Sequence, residues 1–270
     1  TVDVPKAFTT INLDGGALTL LGTDWSASGT LTIGSGTTLT VGDGATTSDL
    51  TVGVTAIDGG TLNVTAGGGF TNTTAVTGGS NADTGSILLG AGSDVLTVGS
   101  SGSLTAASVD LGADNDSFTF TAGGTLTGTV SGGAATDSLI LTGSGGGTGS
   151  FDLDNQTAFE SLSISGGDDW TLTGTGIGFT TIDVTGGTLA LGSGSTATVT
   201  ASGTVTLDAT TVTVNDGSSL SAGSIAGGDN GVILDIATGG SVTSTGAITF
   251  GAGVDALTVS SGATLSASSI

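Results

Sequence analysis

The chain has no cysteine, methionine, tyrosine, histidine or arginine. It has one proline, one lysine (Lys6) and one glutamate (Glu160). Each absence excludes something. Two Trp and no Tyr are too few aromatics for the girdles of a transmembrane barrel. No apolar run approaches the ~18 residues of a membrane-spanning helix, so membrane insertion is not expected. A single basic side chain against 23 acids leaves a net charge of −22. That charge repels the phosphate backbone, so nucleic acid is excluded as a partner. It makes calcium and other hard cations the natural counter-charges. The shortage of Lys and Arg also leaves few sites for trypsin-like proteases, which suits life outside a cell. A chain that opens on Thr1 reads as a mature secreted product or a piece of one.

What is present is glycine, 53 residues of it, with Ser, Thr, Val, Leu and Ala making up most of the rest. Glycine- and serine-rich chains often stay unfolded because they bury too little apolar surface. Here the mean hydropathy is +0.41, and apolar residues alternate with Thr and Ser. That alternation predicts half-buried strands. Helix signals are absent.

The chain repeats itself. "LGAGSDVLTV", residues 89–98, aligns without a gap with "FGAGVDALTV", residues 250–259. Between Asp94 and Asp255, similar lines place Asp116, Asp137, Glu160, Asp183, Asp208 and Val232 in the Asp position. The steps are 22, 21, 23, 23, 25, 24 and 23 residues. Glycines and Ser/Asn/Asp clusters punctuate each line, as tight corners require. A coil whose turns stack strand on strand satisfies all of this. The expected fold is all-β, a parallel β-solenoid (right-handed β-helix) of about 12 rungs of roughly 22–23 residues. It is expected to run as one continuous domain over 1–270, with 1–14 as an N-terminal joint segment.

"FESLSISGGDDWTLTGTG", residues 159–176, resembles a line common in passenger regions of bacterial autotransporter (type V secreted) proteins. The matching positions are Phe159, Glu160, Leu162, Gly166, Trp170, Leu172 and Gly174. The "GGAATDSLILTGSG" line before it resembles that family's repeats too. The resemblance implies secretion, a bacterial surface and an adhesive or structural role.

"GAGSD" is similar to the calcium-binding nonapeptide of RTX proteins. Gly90, Gly92, Asp94 and Leu96 match it, as do Gly251, Gly253, Asp255 and Leu257. Asp114 and Ala135 stand where the second Gly would precede Asp116 and Asp137. The resemblance implies Ca²⁺ at Asp94, Asp114, Asp116, Asp137 and Asp255. Stacked carboxylates ~5 Å apart repel by about 1 kcal/mol in water, and a bridging Ca²⁺ would remove that cost. The alternative is that each Asp closes a corner by accepting backbone N–H groups in Asx-turn fashion.

Glu160, Asp168 and Asp169 have the residue types of a glycosidase carboxylate pair. β-Helix lyase chemistry, however, draws on Arg, Lys or His, and the chain offers only Lys6. The expectation is therefore no enzyme. Trp25 and Trp170 are either ligand platforms or fillers of wide rungs. Phe118, Phe120, Phe159 and Phe250 read as core. The Thr-x-Thr strings at Thr30, Thr125, Thr198 and Thr211 do not keep the repeat step, which argues against an ice-binding face.

No capping segment is evident. Thirteen residues separate Val109 from Gly123, and fourteen precede Gly15, so a second copy would continue the rung left open at Ile270. The expected function is an extracellular structural subunit whose partner is itself, stacked head to tail into a surface or matrix filament. The alternative is the shaft of an autotransporter-like adhesin that presents loops to a host or neighbouring cell. Near-uniform rungs favour the plain shaft.

Overall fold

The structure, a computed structural model, describes residues 6–22, 25–34, 36–41, 48–57, 61–64, 68–72, 86–89, 93–176 and 178–270. It is a β-solenoid of stacked parallel strands, about 10 turns in all. The chain divides into two compact units, Thr1–Asp137 and Ser138–Ile270.

In the first unit one sheet contains Gly16–Leu20, Thr37–Val41, Thr61–Val64, Val95–Val98 and Ser117–Thr121, paired in that order. The other begins with Lys6–Phe8 and Ile11–Leu13 on Trp25–Ile33. It continues through Ser48–Ile57 to Gly68–Asn72 and Ser86–Leu89, then Ser103–Asp110 and Thr125–Ser131. Every pair is parallel, as a coil that always turns the same way demands.

The second unit has three strands per turn. Ser138–Thr142, Ser161–Ile164, Thr181–Thr185, Thr204–Asp208, Ser224–Gly227 and Ile248–Thr249 form one wall. Thr148–Asp152, Asp169–Thr175, Thr188–Leu191, Thr211–Val214, Ile233–Ile236 and Ala256–Val259 form the next. The end of Asp169–Thr175 also starts a third wall, with Ala197–Thr200, Ser219–Ala222, Ser241–Ser244 and Thr264–Ser266. The one helical element among the described residues is the 3-10 turn Leu153–Asn155. Among them, no helix is long and apolar enough to cross a membrane.

The period-2 pattern sets the core. In the second unit Leu162, Ile182, Val205, Ile225 and Ile248 stack in one buried column, and Leu172, Leu191, Val214 and Ile236 in another. In the first, Leu39, Leu62, Leu96 and Phe118 do the same. Each such side chain contributes about 1.5–3 kcal/mol on burial. Phe120 and Phe159 are buried as expected, whereas Phe250 is only half-buried.

Six corners share one construction. The residue after the turn donates its N–H three residues back in Gly34–Thr37, Gly99–Gly102, Thr121–Gly124, Asn215–Ser218, Ala237–Gly240 and Ser260–Ala263. The third residue of each has positive φ: Gly36, Ser101, Gly123, Gly217, Gly239 and Gly262. That conformation is why "x-x-Gly" recurs between strands.

Three expectations change. First, one turn is long. Thr61 pairs with Val95 and Gly69 with Ser103, a step of 34 residues in both cases, against 22 from Val95 to Ser117. Near-uniform rungs are therefore not what is built, and this turn is part of the reason that about 10 turns replace the expected 12. Second, the markers do not form one ladder. In the second unit Glu160 lies opposite Thr180, Asp183 pairs with Ser163 and Thr206, and Asp208 with Thr185. Val232 and Asp255 precede strands of the neighbouring wall. Successive steps in the first wall are 23, 20, 23, 20 and 23 residues. Third, Gly16–Leu20 and Thr125–Ser131 belong to different sheets, so Gly15 is not the counterpart of Gly123 and the end-to-end register count falls.

Candidate functional site

Asp94, Asp116 and Asp137 do stand on one column, just ahead of the strands that begin at Val95, Ser117 and Ser138. All three are buried, at most 3% exposed. The Asp94 N–H donates to Asp116 Oδ1 at 2.7 Å, and the Asp116 N–H to Asp137 Oδ1 at 2.7 Å. Each carboxylate thus caps the amide of the equivalent residue one turn earlier. These amides sit where the chain rounds a corner into the ladder, and a buried donor there needs an acceptor.

The second unit repeats the device. Asp168 Oδ1 accepts from the Gly147 N–H at 2.8 Å, Ser218 Oγ from Ala197 at 3.1 Å and Asp255 Oδ1 from Val232 at 2.9 Å. Asx turns do occur at Asp110 and Asp152, outside the column, whose carboxylates accept the N–H two residues on. At the column itself the partner is instead a turn away.

Burial, the largest effect, pushes the Asp116 carboxyl up to about 6. The Asp94 N–H acts in the opposite direction, and the negative charges of Asp137, Asp114 and Asp110 add to the rise. Asp114 is exposed, at the corner ahead of Asp116, with φ +77; Ala135, ahead of Asp137, has φ +106. The second glycine position of the motif thus has positive φ at Asp114 and Ala135 but not at Gly253. Of the five candidate calcium ligands, Asp94, Asp114, Asp116 and Asp137 share the first unit and Asp255 lies in the second. Gly90 and Gly92 of the motif fall outside the described residues. Among the described residues no group of three or more His, Cys, Asp or Glu is placed to hold a metal ion.

Trp170 is a filler. It is buried over Gly149 of the preceding turn. Trp25 is half-buried, stacks on Phe8 at 6.1 Å and 10°, and donates its Nε1–H to the Leu21 carbonyl at 2.9 Å. Phe8 and Trp25, with Ile11, Leu18 and Leu20, line a cavity of about 290 Å³. Asp168 is buried as a cap while Asp169, exposed, accepts from the Thr188 hydroxyl at 2.6 Å.

Hydroxyl pairs keep the step better than the Thr-x-Thr strings suggest. Thr198 and Thr200, Ser219 and Ser221, Ser241 and Thr243, and Thr264 and Ser266 occupy equivalent outward positions of the third wall. Ser substitutes for Thr, which hides the repeat from a search for Thr alone. A groove of about 690 Å³ also went unseen in the sequence; it follows the corner leading into this wall. Its signal was the recurrence of the x-x-Gly corner at Asn215, Ala237 and Ser260.

No family model, curated protein or solved structure matches this chain. The solenoid implied by the 159–176 line is present, and that line has structural work throughout. Phe159, Leu162, Trp170 and Leu172 face inward, and Gly166 and Gly174 take positive φ against the preceding turn. Its autotransporter attribution is carried by those residues alone.

Proposed function

We propose that the chain is a non-enzymatic extracellular structural protein, a β-solenoid subunit that stacks head to tail on copies of itself to form a surface or matrix filament. The observation that supports this reading is the parallel, in-register pairing of described strands with their equivalents one turn on, in both units. Each turn offers the next the same backbone groups that it meets in the last, so a further copy can be added as a further turn, and a heterologous contact of that kind propagates without closing.

A second reading, the shaft of an adhesin that meets a host or neighbouring cell, is favoured by the 34-residue turn. A turn about 12 residues longer than its successor has the chain length for a presented loop.

Negative-stain electron microscopy of the chain at neutral pH tests the first reading. Long unbranched fibres are expected. Dispersed particles, at concentrations where fibres should form, would leave the adhesin shaft as the reading to pursue.

A further inference from the structure

We infer that the corner groove of the second unit is a binding site for an extended, uncharged glycan chain of the β-1,4-linked hexose type. The inference is independent of end-to-end stacking.

The groove has a volume of about 690 Å³, within the roughly 300–1,000 Å³ of sites that take up small ligands. Ser193, Ser195, Asn215, Asp216, Thr238 and Ser260 line it. They come from four successive turns, so the groove runs along the stack. Its walls are fixed. Asn215–Ser218, Ala237–Gly240 and Ser260–Ala263 are each closed by a backbone hydrogen bond. Asn215 Nδ2 donates to the Gly192 carbonyl and ties the second corner to the first. The Asp216 carboxylate lies against Gly239, where any side chain would collide with it. On one flank stand the eight hydroxyls of the third wall, with no charged residue among them.

The lining selects the ligand class. Hydroxyls and an amide both donate and accept, which suits a partner that also does both. Asp216 is the only charged group in the groove, and the chain as a whole carries −22. Acidic polysaccharides and phosphorylated ligands are therefore repelled. A purely apolar ligand would strip water from the hydroxyls and return no hydrogen bond. An uncharged polyhydroxylated chain meets neither objection. The polar groups recur at the turn spacing, about 4.8 Å for strands in a sheet. A β-1,4-linked hexose chain is straight, successive rings face opposite ways, and its two-sugar repeat is close to the span of two turns, so every second sugar meets an equivalent corner. With no aromatic platform in the lining, binding rests on many weak hydrogen bonds and is expected in the millimolar to submillimolar range.

The test is an NMR titration of the full ¹⁵N-labelled chain with cellohexaose. The expected result is saturable shifts confined to residues 193–196, 215–218, 237–240 and 260. Ser195→Trp and Thr238→Trp, each filling the groove, should weaken binding by about tenfold or more. Thr206→Trp, on a different wall, should leave it unchanged. Circular dichroism melts identify any variant that misfolds, and either groove variant alone suffices. Absence of saturable shifts up to the solubility limit of the sugar would overturn the inference. So would shifts that persist in both groove variants, or a response to polygalacturonate in place of cellohexaose.

Discussion

The main-chain amide of Asp94 donates a 2.7 Å hydrogen bond to the carboxylate of Asp116, 22 residues further along the chain. Asp116 in turn donates its own amide to Asp137 at 2.7 Å. A side chain thus supplies the acceptor that the corner denies to the backbone, and it does so at the same ladder position in consecutive turns. The arrangement satisfies the amides but lines up buried carboxylates at one strand spacing. Hydrogen bonding and charge repulsion oppose each other at Asp116.

The balance has a pH signature. Asp116 titrates at about 6 in the fold against 3.8 unperturbed. A folded-state value above the unfolded one means that the native state binds the extra proton. Stability from this group is therefore full below about pH 4 and is lost as pH rises through 6. Asn at position 116 retains an amide-accepting oxygen and carries no charge. Asp116→Asn should melt higher than the wild type at pH 7, and the gap should close towards pH 4. Parallel melting curves across that range would show that the carboxylate is not under strain.

Backbone conformation gives a second expectation. Ser101 occupies the corner position held by glycine at residues 36, 123, 217, 239 and 262, with φ +60, and Ala135 has φ +106. An L-residue with positive φ costs roughly 1–2 kcal/mol. Ser101→Gly and Ala135→Gly should each stabilise the fold by about 1 kcal/mol in chemical denaturation, less the entropy that glycine adds to the unfolded chain. Gly217→Ala should destabilise it by a similar amount. A loss of stability in both glycine variants would mean that other contacts at these corners outweigh the strain.

These positions also show where the sequence is readable. The strands are legible because Leu96 and Val98, or Val212 and Val214, alternate with Thr on a pleated surface. The wall to which a strand belongs is not. "VLTV" at 95–98 and "ALTV" at 256–259 are interchangeable as strands, and only the summed lengths of the corners assign them. Asp183 and Asp208 therefore resemble Asp94 in their local sequence while sitting within strands, opposite Ser163 and Thr185. The Asp column itself was legible over three turns, where the corners keep their length. The groove was not, because its lining is mostly Ser, Thr, Asn and Asp, residue types that recur at corners throughout the chain.

Calcium is a third test, because the RTX-like spacing and the geometry point in different directions. The Oδ1 atoms of Asp116, Asp137 and Asp255 already accept backbone amides. Calcium requires six to eight oxygen ligands, and no described group of acids converges to begin such a set. The melting temperature should be the same in millimolar Ca²⁺ and in excess chelator. A rise of several degrees with Ca²⁺, abolished in Asp116→Asn, would return the column to the status of a cation site.

Trp170 and Gly149 offer the sharpest packing test. They are paired across adjacent turns, and a Cβ on residue 149 would lie 2.6 Å from the Trp170 ring. The indole is 1% exposed, so it has no free space to retreat into. Gly149→Ala should cost about 1–3 kcal/mol, the usual penalty of overpacking. In a Trp25→Phe background, where Trp170 is the only indole, its emission should shift to the red as the ring is displaced. Trp170→Phe alone should also destabilise, by leaving a void. The double variant should recover part of the loss, because the smaller ring admits the methyl group. A double-mutant cycle measures that coupling directly. Additive losses would mean that the methyl is accommodated by movement of the Thr148–Asp152 strand and that the ring does not set the spacing of these two turns.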